Sequence, residues 1–368
     1  MSTSNGLASD LPTELDTIRE MCTACGACVK HCPFLRRYGD PFTIAGRLES
    51  GSLGLPIAFE CSLCGLCASV CPYGVEPTRM FLAMRRSAVE QNAVNMKPYR
   101  RLLSYEARGH SRLFAHYAIP EGCETVLFPG CTLPGTRPAA MAALTARLRE
   151  LIPNLGVALD CCHKPSHDLG RQEFFERRFN AIRDKLAAAG VTTLLTACPN
   201  CTKTFRAYGD GLEARTVYEV LAEAEGPPPE RSPIEVMIHD PCPFRNDESV
   251  REASRKLLTA RRLSVVEPAQ TGRRTLCCGE GGSVGCIDAA LADVWTNTRL
   301  EQAEGLPVAA SCAGCAAMLR RAGGEAHHAL DLYFHPAEAL SGTIKPSGFL
   351  AGYRNRLRYK RAIRKSIR

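Results

Sequence analysis

Eight of the 20 cysteines in this 368-residue chain stand in two short runs that have the spacing of metal ligands. Each run has two residues between successive cysteines, then three residues, then a Cys-Pro pair. The runs are Cys22, Cys25, Cys28, Cys32-Pro33 and Cys61, Cys64, Cys67, Cys71-Pro72. This spacing is typical of 4Fe–4S ligation, in which three thiolates of one run and the fourth of the other bind each cubane.

That crossed arrangement predicts two 4Fe–4S cubane clusters. Their predicted ligand sets are Cys22, Cys25, Cys28 and Cys71 for one, and Cys61, Cys64, Cys67 and Cys32 for the other. Gly26 and Gly65 would let the backbone approach the sulfides, and the prolines would turn the chain away after the fourth ligand. Four cysteines also suit zinc, but a zinc site does not require this spacing twice with a trailing proline.

Ten further cysteines repeat a second pattern, which is a lone cysteine, an adjacent pair and a C-x-x-C. The two copies are Cys131, Cys161, Cys162, Cys198, Cys201 and Cys242, Cys277, Cys278, Cys312, Cys315. Matching positions are offset by 111, 116, 114 and 114 residues, where the adjacent pair counts once. Nearly constant offsets of this kind indicate a duplicated domain.

The elements between these cysteines alternate short apolar runs with amphipathic helical segments. This alternation is typical of β-α units around a parallel sheet, whose ligands lie at the carboxyl ends of the strands. Each cysteine group of the repeats is predicted to follow a strand. We therefore expect an α+β / α/β protein, with a helical two-cluster unit followed by a duplicated α/β cysteine-rich domain.

Adjacent cysteines point their side chains apart, so they suit two irons of one larger cluster better than one tetrahedral ion. Five thiolates per repeat also exceed the four that a zinc ion or an ordinary cubane uses. The pattern alone therefore favours an unusual iron–sulfur site in each repeat.

The repeats resemble the cysteine-rich CCG domain of heterodisulfide reductase, which follows a ferredoxin-type segment in its D subunit. They are also similar to the iron–sulfur subunits of glycolate oxidase and anaerobic glycerol-3-phosphate dehydrogenase, and to the sulfite-reductase-associated membrane complex. The matching stretches are FPGCTLPG, LDCCHKPSHDLG, TACPNCTKTF, HDPCPFRND, LCCGEGGSVG and ASCAGCAAM, within residues 20–340. This resemblance implies one or two non-cubane 4Fe–4S clusters that act on a thiol/disulfide couple.

One position departs from that family pattern. The first repeat has His163 after its cysteine pair, where the second has the usual Gly279. The first site could accordingly hold a complete cluster, hold zinc or stay empty. His163, His167 and His239 lie beside cluster cysteines, so they could donate protons, or simply form hydrogen bonds to the backbone. The glycine-rich segment 279–285 is interpreted as backbone packed around a cluster, and Cys123 and Cys286 as buried structural thiols.

The predicted organisation has six parts. They are a polar lead-in (1–20), a two-cluster 4Fe–4S domain (21–80), a helical connector (81–118), two cysteine-rich repeats (119–225 and 234–340) and a basic amphipathic tail (341–368). The Pro-rich stretch 226–233 separates the repeats.

The net charge of +8 comes from the tail, since residues 345–368 hold nine basic residues and no acidic one. The rest of the chain lacks the basic stripe of a nucleic-acid-binding protein. A helical tail would place Phe349, Leu350, Tyr353, Leu357, Ile363 and Ile367 on one face. Such a helix could lie on an anionic membrane or an acidic partner, and the alternative is a solvated charge run.

The N-terminal residues lack the basic start and apolar segment of a secretory signal, and a long apolar span is absent. We therefore expect a cytoplasmic protein, with the tail as a candidate for peripheral contact at the inner face of the membrane. A reducing compartment also argues against a disulfide scaffold.

The predicted function is that of an electron-transfer oxidoreductase subunit. Cys242, Cys277, Cys278, Cys312 and Cys315 would carry the catalytic non-cubane cluster, and a small thiol or disulfide would be the substrate. Since no organic cofactor site is visible, we expect partner subunits, either a flavoprotein or a membrane quinone or cytochrome subunit. Two alternatives stay open, namely an electron relay for a flavoprotein 2-hydroxyacid or glycerol-3-phosphate dehydrogenase, and a zinc-binding interaction module.

Overall fold

The computed structural model describes residues 10–226 and 234–365. The predicted linker 226–233, the first nine residues and Ile367 therefore lie wholly or mostly outside the described residues. The N-terminal unit is helical. Its helices are α1 Leu11–Met21, α2 Pro33–Tyr38, α3 Pro41–Glu49, α4 Leu66–Ser69, α5 Pro77–Glu90 and α6 Arg100–Gly109.

The first repeat contains a five-stranded sheet, and the second a four-stranded sheet. In chain order the first has β1 His116–Ala118, β2 Thr125–Phe128, α7 Leu133–Thr136, α8 Pro138–Leu151, β3 Gly156–Leu159, α9 Lys164–Asp168, α10 Gln172–Ala188, β4 Thr193–Thr196, α11 Pro199–Tyr208, β5 Glu213–Thr216 and α12 Val217–Glu223. The second has β6 Glu235–His239, α13 Glu248–Thr259, β7 Ser264–Val266, α14 Ala289–Glu301, β8 Val308–Ala310, α15 Ala313–Arg321, β9 Ala326–His328, α16 Ala329–Phe334 and α17 Pro336–Leu340. The last described helix is α18 Phe349–Lys365.

The two sheets share one topology. Their strand orders are β1-β3-β2-β4-β5 and β7-β6-β8-β9, with every pair parallel except the antiparallel β1–β3 edge. Removing β1 makes the orders equivalent, so the predicted duplication and the α/β class are confirmed. The repeats also share a core, in which Leu127 and Leu144 of the first cluster with Leu257 and Leu330 of the second.

Several local expectations were wrong. The segment before residue 21 is not merely a polar lead-in, because α1 packs on α5 and buries Ile18. The connector is not helical throughout, since it ends in β1. The predicted boundary at residue 80 falls inside α5. Among the cysteine groups, Cys277-Cys278 does not directly follow a strand, because β7 ends at Val266 and a 3₁₀ turn intervenes.

The basic tail forms the predicted helix, but it docks on the chain itself. The α18 helix packs against α7, and Asn355 donates to the carbonyl of Gly135 at 3.0 Å. Arg356 is buried against the rings of Tyr105 and Phe114. Residues 349–365 are therefore not a solvated charge run. Contact of its outer face with a membrane or partner stays a prediction.

Only part of the predicted apolar face of α18 is buried. Phe349 and Leu350 are 67% and 81% exposed, whereas Ile363 is buried. The reason is that the surface under α18 presents backbone carbonyls, which need donors. Lys360 donates to the carbonyls of Arg112, Leu113 and Ala115.

Replacing Arg356 with leucine is expected to lower the free energy of unfolding by about 1–3 kcal/mol, because it removes a buried donor and two cation–ring contacts. Thermal unfolding and amide hydrogen exchange in α18 would measure the effect. The matched control is Arg358→Leu, since Arg358 lies on the exposed side of the same helix. Equal melting temperatures for both variants would contradict the docking described above.

None of the helices among the described residues is long and apolar enough to cross a bilayer.

Candidate iron–sulfur sites

The first predicted cubane site is a cavity close to the protein surface. Cys22, Cys25, Cys28 and Cys71 line this cavity together. They come from the turn after α1 and the turn after α4, which α5 holds side by side. Cys25 is exposed and the other three are partly exposed. The structure thus brings the first crossed set of sulfurs together at one edge of the molecule.

The second set lies deeper. Cys32, Cys61, Cys64 and Cys67 line a second cavity, which Phe81 and Trp295 close on the inner side. Cys61 and Cys67 are buried. Trp295 belongs to α14, so the second repeat forms part of the wall of this site. Both crossed sets therefore form in the structure.

The five cysteines of the second repeat form a continuous chain of contacts. Cys277 hydrogen-bonds to Cys242 and Cys278, and Cys315 hydrogen-bonds to Cys278 and Cys312. Cys312 is the N-cap of α15, and Cys315 lies one turn into that helix. All five sulfurs can therefore bind one group.

The first repeat gathers its five cysteines in the same way. Cys131 hydrogen-bonds to Cys161, and Cys201 hydrogen-bonds to Cys162 and Cys198. Cys198 is the N-cap of α11, as Cys312 is of α15. The histidine after the pair does not prevent this assembly.

The donor chemistry of these four sites fits iron–sulfur clusters. All twenty cysteines are free thiols, so none of the groups is closed by a disulfide. Burial raises the pKa of Cys28 to about 11 and that of Cys61 to about 12. Four or five converging thiolates would repel one another in such surroundings, and bound cationic iron removes that penalty. The ligand assignment itself stays a prediction.

The second cubane site and the second-repeat site touch directly. The thiol of Cys64 hydrogen-bonds to Cys277, which lowers the pKa of Cys64. Arg245, which is buried, donates to the carbonyl of Cys64 at 3.2 Å. These contacts join the second cubane loop to the second-repeat cysteines.

The glycine-rich loop after Cys278 explains how the two backbones come so close. A Cβ on Gly281 would lie 2.5 Å from the carbonyl oxygen of Ser62, and one on Gly282 would lie 2.4 Å from that of Cys61. Any side chain there would push the domains apart. The loop is thus packed against the second cubane site.

A cavity of about 140 Å³ lies where the two repeats and the second cubane loop meet. Cysteines from both sides line it, with Cys64 on one wall and Cys242, Cys278, Cys312 and Cys315 on the others. Its polar lining includes Lys164, Asn200, Lys203 and Glu280. A small molecule in this cavity would contact the second-repeat sulfurs.

The two lysines of this cavity differ in their ion-pair partners. Lys164 is paired with Asp168, but Lys203 has no carboxylate partner among the residues that the structure describes. Close packing and the thiolates of Cys278 and Cys131 raise the pKa of Glu280 to about 7, although the side chain reaches the solvent-accessible cavity. Lys203 is therefore a basic side chain of the cavity wall that no ion pair of the described residues holds.

The histidines that sequence reasoning singled out lie in three different settings. His167 forms hydrogen bonds with the side chains of Asp168 and Tyr208, whereas the simpler interpretation had the backbone as its partner. His239 lies beside Cys278 and Cys315, and His163 beside Cys161 and Glu106. Cys123 is buried as predicted, but Cys286 is exposed, so the prediction of a buried structural thiol was wrong there.

Sequence reasoning missed Lys203, Glu106 and Arg85. Arg85 is fully buried and donates five hydrogen bonds to backbone carbonyls from three parts of the chain. A lysine or arginine within a helical segment carries no local sign of such a role. The position of Lys203 two residues after the C-x-x-C was the one available hint.

Comparisons with known proteins agree with this arrangement. Residues 19–75 match the 4Fe-4S dicluster domain family, and residues 125–206 and 236–320 match the cysteine-rich domain family called CCG. The chain is similar to the B subunit of fumarate reductase (CoM/CoB) from Methanothermobacter marburgensis, with 24% identity over 72% of this chain and 59% of that protein. Measured against that relative, the chain spans less than two thirds of its length.

A second relative is matched over more of its length. The D subunit of dihydromethanophenazine:CoB–CoM heterodisulfide reductase from Methanosarcina mazei is 25% identical over 81% of this chain and 86% of that protein. A protein of Archaeoglobus profundus that is described as similar to the C subunit of heterodisulfide reductase is 32% identical over 28% of this chain and 58% of that protein.

Proposed function

Because this chain is an iron–sulfur electron-transfer protein homologous to the D subunit of heterodisulfide reductase, with a 4Fe-4S dicluster domain and two CCG domains, we propose that it interconverts a thiol/disulfide couple. The observation that carries this proposal is the cavity between the repeats, which the second-repeat sulfurs line. Reduction of a disulfide there consumes two electrons and two protons and yields two thiols.

The order of the sulfur sites supports a path for electrons through the molecule. The Cys22–Cys71 set lies at the surface, the Cys32–Cys67 set behind it, and Cys64 touches Cys277 of the second repeat. When bound, the clusters would supply one-electron carriers at these positions. The protein's own contribution is to hold the sulfurs in this order.

We assign Cys242, Cys277, Cys278, Cys312 and Cys315 to the catalytic site, and the other thirteen grouped cysteines to cluster binding. The complement would be two cubanes and, because both repeats assemble five sulfurs, two non-cubane clusters. Iron and sulfide counts on anaerobically purified protein test this, with about sixteen irons per chain expected. A colourless protein that contains zinc would refute it.

A redox partner is proposed to dock at the exposed cubane. Met21 and Tyr73 flank that site and are 43% and 52% exposed, which is high for large apolar side chains next to a cofactor cavity. The named relatives are subunits by name. The partner would therefore be another redox subunit, such as a flavoprotein or a membrane quinone or cytochrome subunit.

The free lysine in the cavity points to a thiol or disulfide that carries an acidic group. Replacing Lys203 with methionine is expected to raise KM about tenfold, because it removes one charge-assisted contact. Steady-state kinetics with disulfides of different charge would measure this effect. Lys256→Met is the matched control, since it removes an exposed lysine of α13 and leaves the cavity unchanged. An equal KM in both variants would contradict the role of Lys203.

The reaction itself is tested by adding a dithiol or a disulfide to anaerobic protein and following paramagnetic signals at low temperature. A new signal that depends on the thiol and on Cys278 is expected. If thiols leave the spectrum unchanged while a reduced flavoprotein reduces the clusters, the chain is a relay subunit of a flavoprotein dehydrogenase instead.

A further inference from the structure

The residue after the cysteine pair adopts a left-handed backbone in both repeats. Its φ is +56° at His163 and +95° at Gly279. Glycine adopts this conformation freely, whereas a side-chain-bearing residue loses about 1 kcal/mol or more. Gly279 also has no room for a side chain, because a Cβ there would lie 2.3 Å from Oγ1 of Thr296. The first repeat thus keeps a less favourable residue at a position where glycine fits.

The imidazole of His163 is buried and held by a carboxylate. It is 1% exposed, and its Nδ1 lies 3.2 Å from Oε1 of Glu106. Glu106 also accepts hydrogen bonds from the backbone N–H and the hydroxyl of Ser166. A carboxylate that accepts from Nδ1–H leaves the lone pair on Nε2. Within the part of the chain that the structure describes, this Nε2 has no hydrogen-bond partner.

A histidine that binds a metal nearly always donates its other ring N–H to a carboxylate or carbonyl, as His163 does to Glu106. A ring nitrogen of His163, the sulfur of Cys161 and a carboxylate oxygen of Glu106 all lie within 4.8 Å of one another. Cys161 is in turn hydrogen-bonded to Cys131. The imidazole is therefore part of the first-repeat site.

Both ring nitrogens of the neighbouring histidine, His110, already have hydrogen-bond partners. The ring of His110 lies 5.0 Å from that of His163. Its Nδ1 bonds to Asp160 at 2.8 Å, and its Nε2 lies 3.2 Å from the guanidinium of Arg178. Of these two imidazoles, that of His163 is therefore the one with a ring nitrogen, Nε2, that can bind a metal.

We propose that Nε2 of His163 is a nitrogen ligand to iron in the first-repeat site, beside the thiolates of Cys131 and Cys161. The two cysteine-rich sites are then chemically different, one with mixed nitrogen and sulfur ligands and the other with sulfur alone.

The second repeat offers a matched control. His239 lies within 4.8 Å of the sulfurs of Cys278 and Cys315, but no carboxylate among the described residues fixes its ring as Glu106 fixes that of His163. Its position in β6 corresponds to Phe128 in β2, because the two precede Cys242 and Cys131 by three residues. His163→Gly and His239→Phe therefore each give one repeat the residue of the other.

This proposal rests on the iron–sulfur assignment. The experiment tests the nitrogen ligand and the iron–sulfur assignment by different measurements, which are nitrogen coupling and the iron count. Protein is prepared anaerobically with ¹⁴N- or ¹⁵N-labelled histidine, its iron is counted, and pulsed paramagnetic resonance measures nitrogen coupling. We expect a strong histidine coupling that disappears in His163→Gly with the iron count retained, persists in His239→Phe and weakens in Glu106→Gln.

Strong coupling that persists in His163→Gly, or that His239→Phe removes, would overturn the nitrogen ligand and leave the iron–sulfur assignment standing. An iron count that Cys162→Ser does not change would show that the first repeat holds no cluster. That result would overturn both the ligand and the proposed two-site complement.

Discussion

Replacing Cys278 with serine is expected to abolish thiol/disulfide turnover and to remove about four irons per chain, while both cubane signals persist. Cys278 is buried and joins Cys277 to Cys315, so it lies in the middle of the second-repeat contacts. A serine hydroxyl stays protonated and is a poor ligand for iron. Anaerobic iron analysis, low-temperature paramagnetic resonance and a turnover assay would measure the effect.

Two further serine variants make this prediction specific. Cys162→Ser alters the corresponding position of the first repeat, and Cys286→Ser removes an exposed thiol outside all four groups. We expect iron loss in the first and no change in the second. Cys277→Ser is less informative, because Cys277 also contacts Cys64 of the second cubane site. Normal turnover in Cys278→Ser would refute the catalytic assignment.

The cysteine pattern predicted most of the site because ligand spacing is a local property. The offsets between repeats predicted the duplication, and the strands before Cys131, Cys161, Cys198 and Cys242 end where the apolar runs end. Three of the four edge strands, β1, β5 and β9, were missed. In β5, Glu213–Thr216, exposed and buried residues alternate without an apolar run, and β1 and β9 have three residues each.

Contacts between distant segments could not be predicted from local patterns. The buried face of α18 contains Asn355 and Arg356 because carbonyls of the first repeat lie beneath it, which no helical periodicity reveals. Glu106 lies in α6, outside both repeats, and only the tertiary fold brings it to His163. The cavity with Lys203 forms only when three parts of the chain meet.

Arg85 joins those three parts of the chain through hydrogen bonds to backbone carbonyls. Its guanidinium donates to the carbonyls of Ala58, Phe59 and Cys61 before the second cubane loop. It also donates to the carbonyl of Asp168 in the first repeat at 2.7 Å, and to that of Gly282 in the second at 3.0 Å. One side chain therefore satisfies five acceptors at the junction of all three units.

Arg85→Met is expected to lower the free energy of unfolding by about 3–5 kcal/mol, because it leaves buried carbonyls without donors. Since three of those carbonyls lie between Ala58 and Cys61, we expect iron loss first from the site that contains Cys61. Chemical unfolding and an iron count would measure both effects. Arg101→Met, at an exposed position of α6, is the control. Arg85→Lys should rescue only part of the stability, because an ammonium has fewer donors and no planar fork. If Arg85→Met kept full stability and iron, the three units would be joined by apolar packing alone.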